Sequence, residues 1–252
     1  MTSLNTTMPK VAKTASWIET RIHNALRRGS DLEAKHRAGR LGLSQIGKCE
    51  RALHAQMRGV VTPREVEGRI LVLFDLGNYI EGQMLESLEM ADFAIRQSED
   101  GEQIRVAAFD DKAVGHLDGE IRFRRNDRAD EWAVLEIKSA GRKAYDALVD
   151  AGSYSEWKPE YAAQVQVYMG LRGRTEALVV VECKDTSRLW CEISIFDPDE
   201  FERLMAKAER IVTEPEILDR PSEAKSQYCK YCKWCDANAW CWGPLAGVSF
   251  DA

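Results

Sequence analysis

The stretch Val134-Leu135-Glu136-Ile137-Lys138 places two charged side chains inside an otherwise apolar run. A run of this kind favours a buried strand near the centre of a sheet. Alternate residues of a strand point to the same face, so Glu136 and Lys138 share one side of it. Charges at such a position are costly to bury unless they are paired or bind an ion. This strand therefore predicts both the core of the fold and the location of a site.

A second stretch, Gly115-His116-Leu117-Asp118-Gly119, lies within an apolar run from Ala113 to Phe123 that predicts the preceding strand. Polar residues separate the two runs, which predicts a hairpin on which Asp118 and Glu136 converge. Two carboxylates at one point can hold a divalent cation, and a lysine beside them can orient an attacking water. Two other interpretations remain open: a solvated charge pair for Glu136 and Lys138, and a turn residue for Asp118.

Hydrophobic periodicity along the rest of the chain alternates between helix and strand. This order predicts an α/β fold in which helices flank a central mixed sheet. The motif Asp197-Pro198-Asp199-Glu200 predicts a capped helix start with proline in the first turn. The predicted helices are 14–28, about 64–92, 159–171 and 198–212, and the predicted strands are 104–109, 113–123, 132–139, 177–183 and 189–196.

Size and composition narrow the class of protein. The chain has 252 residues, 44% of them hydrophobic, which suits one domain with a sizeable core. It contains neither a leader-like apolar start nor the run of about 20 apolar residues that a membrane helix needs. We therefore expect a cytoplasmic protein without a membrane partner. The net charge of −6 argues against a protein that binds nucleic acid through a broad basic surface. It does not exclude an enzyme that binds a few phosphates locally.

With a third motif, Gln164-Val165-Gln166-Val167-Tyr168, the two stretches resemble the PD-(D/E)XK nuclease superfamily. Within it they are similar to RecB-like exonucleases that carry an iron–sulfur cluster, a group including CRISPR-associated exonucleases, the AddB nuclease domain and phage exonucleases. The resemblance covers roughly residues 44–243. It implies a restriction-endonuclease-like core with a single nuclease domain over 1–252, the core at about 60–215.

The resemblance implies a role for each matching residue. Asp118 and Glu136 would bind Mg²⁺ or Mn²⁺, with the carbonyl group of Ile137 completing the coordination, and Lys138 would serve the nucleophilic water. Glu81, in Gly77-Asn78-Tyr79-Ile80-Glu81, would be a third metal-binding side chain where other members use histidine. It could instead be a solvated helix charge.

Gln164 and Tyr168 are four residues apart and so share one face of a helix. The resemblance implies that this face approaches the substrate, and the alternative is an amphipathic core helix.

Seven cysteines in a chain expected to be intracellular favour metal ligation over disulfides. Cys49 together with Cys232, Cys235 and Cys241 resembles the one-plus-three ligand pattern of a [4Fe–4S] cluster, which would join the segments at about 44–56 and 226–243. Cys229 is an alternate ligand, and four thiolates suit Zn²⁺ as well. Cys183 and Cys191 fall in predicted strands, where small buried apolar side chains are expected.

These features predict a metal-dependent DNA exonuclease that acts on DNA ends in recombination, repair or replication. Because the resemblance includes phage exonucleases, a phage-encoded protein is one of the origins it implies. DNA with single-stranded ends is the expected partner, together with a recombination or replication protein. The alternatives are a CRISPR-adaptation nuclease and a catalytically silent DNA-binding or assembly subunit. Two further groups could contact DNA, and each could equally be ordinary surface charge or core. They are the arginines Arg122, Arg124, Arg125 and Arg128, and the aromatic residues Tyr145, Tyr154, Trp157 and Tyr161.

Overall fold

The computed structural model describes residues 17–27, 39–61, 66–122 and 131–243. The chain divides into two compact units, of which unit 1 is Met1–Ala38 with Arg64–Asn78 and unit 2 is Gly39–Pro63 with Tyr79–Ala252. The prediction of a single nuclease domain stays a prediction. None of the helices formed by the described residues combines the length and the apolar character that crossing a bilayer requires.

Unit 1 contains helix α1, described over residues 17–27, and the first half of a long helix that continues into unit 2. The two helices of unit 1 approach closely at Gly68, where a Cβ atom would collide with the side chain of His23. Glycine is therefore the residue that allows this close packing.

The helices that follow α1 are α2 (Glu50–Met57), α3 (Gly68–Met90), α4 (Arg142–Ala151), α5 (Tyr154–Trp157), α6 (Pro159–Arg172), α7 (Pro198–Thr213) and α8 (Asn238–Trp242), with a 3₁₀ turn at Leu43–Gln45. The strands are β1 (Leu41–Gly42), β2 (Ala94–Arg96), β3 (Ser98–Glu99), β4 (Glu102–Gln103), β5 (Arg105–Ala108), β6 (Ala113–His116), β7 (Gly119–Arg122), β8 (Ala133–Ala140), β9 (Glu176–Cys183) and β10 (Leu189–Ile195).

A five-stranded mixed sheet in the order β10-β9-β8-β7-β2 forms the centre of unit 2. Strand β8 pairs in parallel with β9 and antiparallel with β7. Parallel neighbours require a crossover connection, which α4, α5 and α6 supply between β8 and β9. This arrangement confirms the predicted α/β fold with a central mixed sheet. It also places β8 in the middle, with Val134, Leu135 and Ile137 buried.

The prediction of one strand from Ala113 to Phe123 is wrong. The chain forms β6, which pairs with β1 and β5 in a separate three-stranded sheet, and then β7, which joins the five-stranded sheet. The break falls at Leu117 and Asp118. Leu117 is fully buried, and its N–H donates to the carbonyl oxygen of Ile104 outside both sheets. The chain changes sheets here, which alternation of apolar residues does not reveal.

Helices α6 and α7 confirm two predictions made from local signals. Proline occupies the first turn of each helix, where a missing N–H has no cost. The side chain of Asp197 accepts hydrogen bonds from the N–H groups of Asp199 and Glu200, as a capping residue should. The last turn of α6 ends at Gly173, whose φ of +62° is the left-handed conformation that glycine adopts without strain.

Candidate active site

Asp118 lies immediately before β7, opposite Glu136 on β8. The pairing of Gly119 with Leu135 fixes this register. The N–H of Ile137 donates a hydrogen bond of 2.7 Å to Asp118 Oδ2, which holds the aspartate against the neighbouring strand. Two strands therefore bring the two predicted carboxylates to one point, as the hairpin prediction required.

Glu136 is fully buried at 0% exposure in the centre of the sheet. Its Oε2 atom accepts a hydrogen bond of 3.0 Å from Gln164 Nε2 on α6. Its Oε1 atom lies 2.5 Å from Lys138 Nζ. This second contact is an ion pair. It does not meet the geometry of a regular hydrogen bond, and Oε1 has no other polar partner. Glu136 is thus a buried carboxylate with one conventional hydrogen bond and one cation beside it.

The ammonium group of Lys138 lies among the oxygens that the family resemblance assigns to a metal. Besides Glu136 it approaches Asp118 Oδ2 at 3.8 Å and donates to the carbonyl oxygen of Ile137 at 3.3 Å. Burial alone would lower the pKa of Lys138, but the carboxylates of Glu136 and Asp118 outweigh it and hold the pKa above its ordinary value. A positive charge at this point is therefore strongly favoured.

Glu81 on α3 belongs to the same electrostatic group. Partial burial and, to a smaller extent, the nearby Asp118 carboxylate raise its pKa to about 7, while Lys138 opposes the shift. Burial likewise raises the pKa of Glu136, and both Asp118 and Glu81 contribute to that shift. Three carboxylates thus share the charge of one lysine. The site favours additional positive charge because the acids outnumber the base.

Two tyrosines form the buried side of the site. Tyr168 on α6 is 1% exposed and packs so closely on Gly115 that a Cβ atom there would meet its ring. Tyr154 on α5 is 2% exposed, and its hydroxyl group is buried without a hydrogen-bond partner. Burial first, and the charge of Glu136 second, raise the pKa of both hydroxyl groups. Both tyrosines therefore stay neutral and contribute packing beside the carboxylates.

Tyr145 is also 2% exposed. Base stacking by Tyr145 or Tyr154, one of the two interpretations open from the sequence, is therefore wrong because neither ring is accessible. Of the arginines near β7, Arg122 is exposed, whereas Arg124, Arg125 and Arg128 lie outside the described residues.

A second buried glutamate was missed by sequence reasoning. Glu120 on β7 is 0% exposed and forms ion pairs with Arg96, Arg172 and Arg174. Burial alone would raise its pKa, but hydrogen bonds from Arg172, Arg174 and Arg96 outweigh it and hold the pKa at about 2. Arg96 lies on β2, Arg172 ends α6 and Arg174 lies in the loop between α6 and β9, so no local pattern indicates the cluster.

The predicted cysteine ligands gather from both ends of unit 2. Cys49 directly precedes α2, and Cys49 and Cys235 pack against the same small apolar cluster around Ala55 and Ala237. Burial raises the pKa of the Cys235 thiol, and the nearby thiols of Cys49 and Cys241 raise it further. The structure thus brings together cysteines that are nearly two hundred residues apart in sequence.

Cys229 and Cys232 form a hydrogen-bonded pair next to this group. Burial raises the pKa of Cys232, and both Cys229 and Cys235 add to that shift. For Cys229, burial alone would raise the pKa, but hydrogen bonds from the Ser226 backbone and from Cys232 together outweigh it and lower the pKa to about 7. Cys229, Cys232, Cys235 and Cys241 provide one thiol more than the three expected to join Cys49, so the choice among them stays open.

The remaining two cysteines differ from one another. Cys183 is buried at 1% exposure in the main core, as expected. The expectation that Cys191 is buried is wrong, because it lies exposed on β10, which is an edge strand of the sheet. All seven cysteines are free thiols. Among the residues that the structure describes, no group of three or more His, Cys, Asp or Glu side chains is arranged to hold a metal ion.

Comparison with solved structures identifies the fold. LHK-Exo, solved in complex with dAMP, aligns with 71% of this chain and 89% of its own, with a TM-score of 0.52 and 14% sequence identity. Another structure of LHK-Exo, described as an alkaline exonuclease from Laribacter hongkongensis, aligns over the same shares with a TM-score of 0.50 and 15% identity. No protein-family model and no curated protein matches the sequence. The chain therefore shares the fold of these two solved structures.

Proposed function

We propose that this chain is a metal-dependent deoxyribonuclease of the PD-(D/E)XK type that acts as an exonuclease on DNA ends. The observation that carries the proposal is the approach of the Asp118 and Glu136 carboxylates to the ammonium group of Lys138. Glu81 lies near enough for the charges of Asp118 and Lys138 to shift its pKa. The shared fold of LHK-Exo, an alkaline exonuclease, supports it.

The oxygen donors at this site have the chemistry that a hard divalent cation prefers, although among the described residues no three acidic side chains are arranged around one ion position. Carboxylate and carbonyl oxygens are the ligands that Mg²⁺ and Mn²⁺ prefer. Glu136 Oε1 is a buried oxygen that lacks a regular hydrogen bond, and the Ile137 carbonyl oxygen lies beside it, where it accepts a hydrogen bond of 3.3 Å from Lys138 Nζ. We infer that Glu81, Asp118, Glu136 and the carbonyl group of Ile137 would hold the ion. In this structure the ammonium group of Lys138 supplies the positive charge next to that position.

Hydrolysis joins a water oxygen to phosphorus and breaks the bond from phosphorus to the departing nucleotide oxygen. A bound divalent ion lowers the pKa of water and offsets the charge of the transition state. Lys138, as an ammonium group, would orient the attacking water and stabilise charge on the phosphate oxygens. Gln164 keeps Glu136 in place through its hydrogen bond, and the Ile137 N–H does the same for Asp118. Each carboxylate is thus held before substrate arrives.

We also propose a [4Fe–4S] cluster held by Cys49, Cys232, Cys235 and Cys241, with Cys229 as the alternate to Cys232. The proximity of Cys49, Cys235 and Cys241 supports the set. Around residues 214–236 the chain forms turns with little regular structure. A metal group at this point would bind α2 to the C-terminal segment, and its contribution would be mainly to stability.

The nuclease proposal is tested by digestion of end-labelled single-stranded and double-stranded DNA with Mn²⁺ or Mg²⁺. We expect nucleotide release by the wild-type protein that EDTA abolishes, and loss of release in Asp118→Asn and Glu81→Gln. Glu86→Gln is the matched control, because Glu86 is exposed on the same helix as Glu81. Wild-type protein inactive on every substrate, or full activity of Asp118→Asn, would contradict the proposal.

The cluster is tested by iron, sulfide and zinc analysis of protein purified without oxygen. We expect iron and sulfide in the wild-type protein and their loss in Cys49→Ser and Cys235→Ser. Cys191→Ser, at an exposed cysteine on β10, should retain both. Comparing Cys229→Ser with Cys232→Ser identifies the fourth ligand. Stoichiometric zinc without iron, or unchanged iron in Cys235→Ser, would refute the cluster.

A further inference from the structure

Residues 228–236 follow a period of three, reading Tyr-Cys-Lys, Tyr-Cys-Lys and Trp-Cys-Asp. The backbone has the same period. The N–H of Cys232 donates to the carbonyl oxygen of Cys229, and the N–H of Cys235 donates to that of Cys232, each at 3.0 Å. Residues three apart in tight turns of this type share a face. The segment therefore presents its cysteines on one side and its aromatic residues on another.

The burial of the side chains follows this division. Cys232 is only 8% exposed, whereas Tyr228, Tyr231 and Trp234 are 79%, 55% and 84% exposed. We call these three residues the aromatic stripe. Large aromatic rings normally contribute to a core, and several exposed together on a short segment are typical of a binding surface.

Lysines accompany the rings. Lys225, Lys230 and Lys233 are exposed, and residues 225–235 contain no Asp or Glu, so this segment is basic in a chain with a net charge of −6. The Nζ atom of Lys230 lies 5.1 Å from the Tyr231 ring, and that of Lys233 lies 5.2 Å from the Trp234 ring. A positive charge thus stands within a few ångströms of two of the three rings.

We propose that the aromatic stripe is a binding site for single-stranded DNA, separate from the carboxylates that would cut it. The inference rests on the proposed nuclease function, for which unpaired ends are the natural substrate. Flat rings stack on the faces of unpaired bases, and adjacent ammonium groups contact the phosphates that follow. A duplex fits less well, because its base faces are covered by their neighbours. An apolar protein partner would gain nothing from the lysines beside Tyr231 and Trp234.

Stacking by the aromatic rings and phosphate contacts by the lysines should respond differently to substitution and to salt. Stacking depends on the ring and not on the tyrosine hydroxyl group, so phenylalanine should replace each aromatic residue with little loss. Lysine contacts with phosphate release counterions, so their removal should reduce the dependence of affinity on salt. A surface that served only to cover the cysteines would show neither response.

The experiment measures binding of fluorescein-labelled oligothymidine by fluorescence anisotropy, with holoprotein purified without oxygen and with EDTA present so that no cleavage occurs. We expect the variant with Tyr228→Ala, Tyr231→Ala and Trp234→Ala to bind at least about tenfold more weakly than wild type. The variant with phenylalanine at the same three positions should bind within about threefold of wild type. The variant Lys230→Gln with Lys233→Gln should have a shallower salt dependence.

Leu189→Ala is the surface control, since Leu189 is 51% exposed on β10 and carries no ring. Circular dichroism and the metal content of each variant verify that the fold is intact. Wild-type affinity in the triple alanine variant would overturn the inference, as would equal weakening in the phenylalanine variant. Equal loss of affinity for a blunt duplex would overturn the preference for single strands. Because the assay contains no Mg²⁺ or Mn²⁺ and involves no cleavage, failure of the proposed nuclease activity would appear separately, in the digestion experiment.

Discussion

Two fully buried glutamates on neighbouring strands of the same sheet have opposite surroundings. Glu120 on β7 is paired with three arginines, and its pKa is held at about 2. Glu136 on β8 has one lysine and one amide, with two further carboxylates nearby, and burial raises its pKa. Both are 0% exposed, so burial alone does not distinguish them.

The difference shows how the function of a buried charge depends on its partners. A carboxylate with its charge fully compensated by arginine has no capacity left for a ligand and contributes to the structure. A buried carboxylate with insufficient positive charge stays costly until a cation binds to it. On this basis Glu120 is a structural residue and Glu136 belongs to the site that would take a divalent ion.

The largest expected effect is on cleavage by the Glu136→Gln variant. Glutamine keeps the shape of the side chain but removes the charge on which ion binding depends. We expect activity to fall by more than the roughly 100-fold that loss of a supporting contact costs. The fold should persist, because Lys138 retains Asp118 as a partner. Nucleotide release with Mn²⁺ measures the effect, and activity within tenfold of wild type would remove Glu136 from the mechanism.

Glu120→Gln should have its main effect on stability. It leaves three arginines facing a neutral amide, and breaking a buried ion pair costs about 3–5 kcal/mol. We expect the lower end of that range, because the side chains of Arg96, Arg172 and Arg174 are 34%, 17% and 23% exposed. Urea denaturation gives the change in the free energy of unfolding.

Glu99→Gln is the matched control for this change. Glu99 pairs with Arg172 at the exposed edge of the same cluster, where solvent screens the interaction, so its loss should cost clearly less than the loss of Glu120. If Glu120→Gln costs no more than Glu99→Gln, the distinction between the two buried glutamates fails.

The pH dependence of stability provides a third test. The pKa of Glu120 is about 2 in the folded protein against an ordinary value of 4.5, so the folded state favours the charged form. Its contribution is therefore fully present above pH 4.5 and is lost as the pH falls towards 2. We expect the stability gap between wild type and Glu120→Gln to be the same at pH 7 and pH 5 and to narrow at pH 3. A gap that stays constant down to pH 3 would contradict the assignment.

The smallest effect is expected from Gln164→Ala. This change removes the one regular hydrogen bond to Glu136 but leaves the carboxylates in place. Loss of such a supporting contact costs about 10- to 100-fold in metal affinity or activity. Gln166→Ala is the control, because Gln166 lies on the same helix but bonds to Ile195 and Asp197 instead. Equal cleavage by the two variants would show that Gln164 does not support Glu136.

Much of the fold and part of the site follow from local sequence signals. Strand β8 and helices α6 and α7 were predicted because apolar alternation, first-turn prolines and the Asp197 cap are local signals. The gathering of Asp118, Glu136 and Gln164 follows from those elements once their order in the sheet is known.

Other features depend on contacts that no local pattern reveals. Helix α4 escaped prediction because only Tyr145 and Leu148 on it are buried, too few to form a clear period. The break between β6 and β7 depends on a change of sheet at Leu117. The arginines around Glu120 come from β2, from the end of α6 and from the loop that follows α6. The exposure of Cys191 follows from the edge position of β10.

The most direct test of the central claim is the binding of Mn²⁺ itself, measured by titration calorimetry on wild type, Glu136→Gln and Glu120→Gln in the absence of DNA. The account predicts binding by wild type and by Glu120→Gln where that variant is folded, and its loss in Glu136→Gln. Equal binding by wild type and Glu136→Gln, or no binding by wild type at millimolar Mn²⁺, would contradict it.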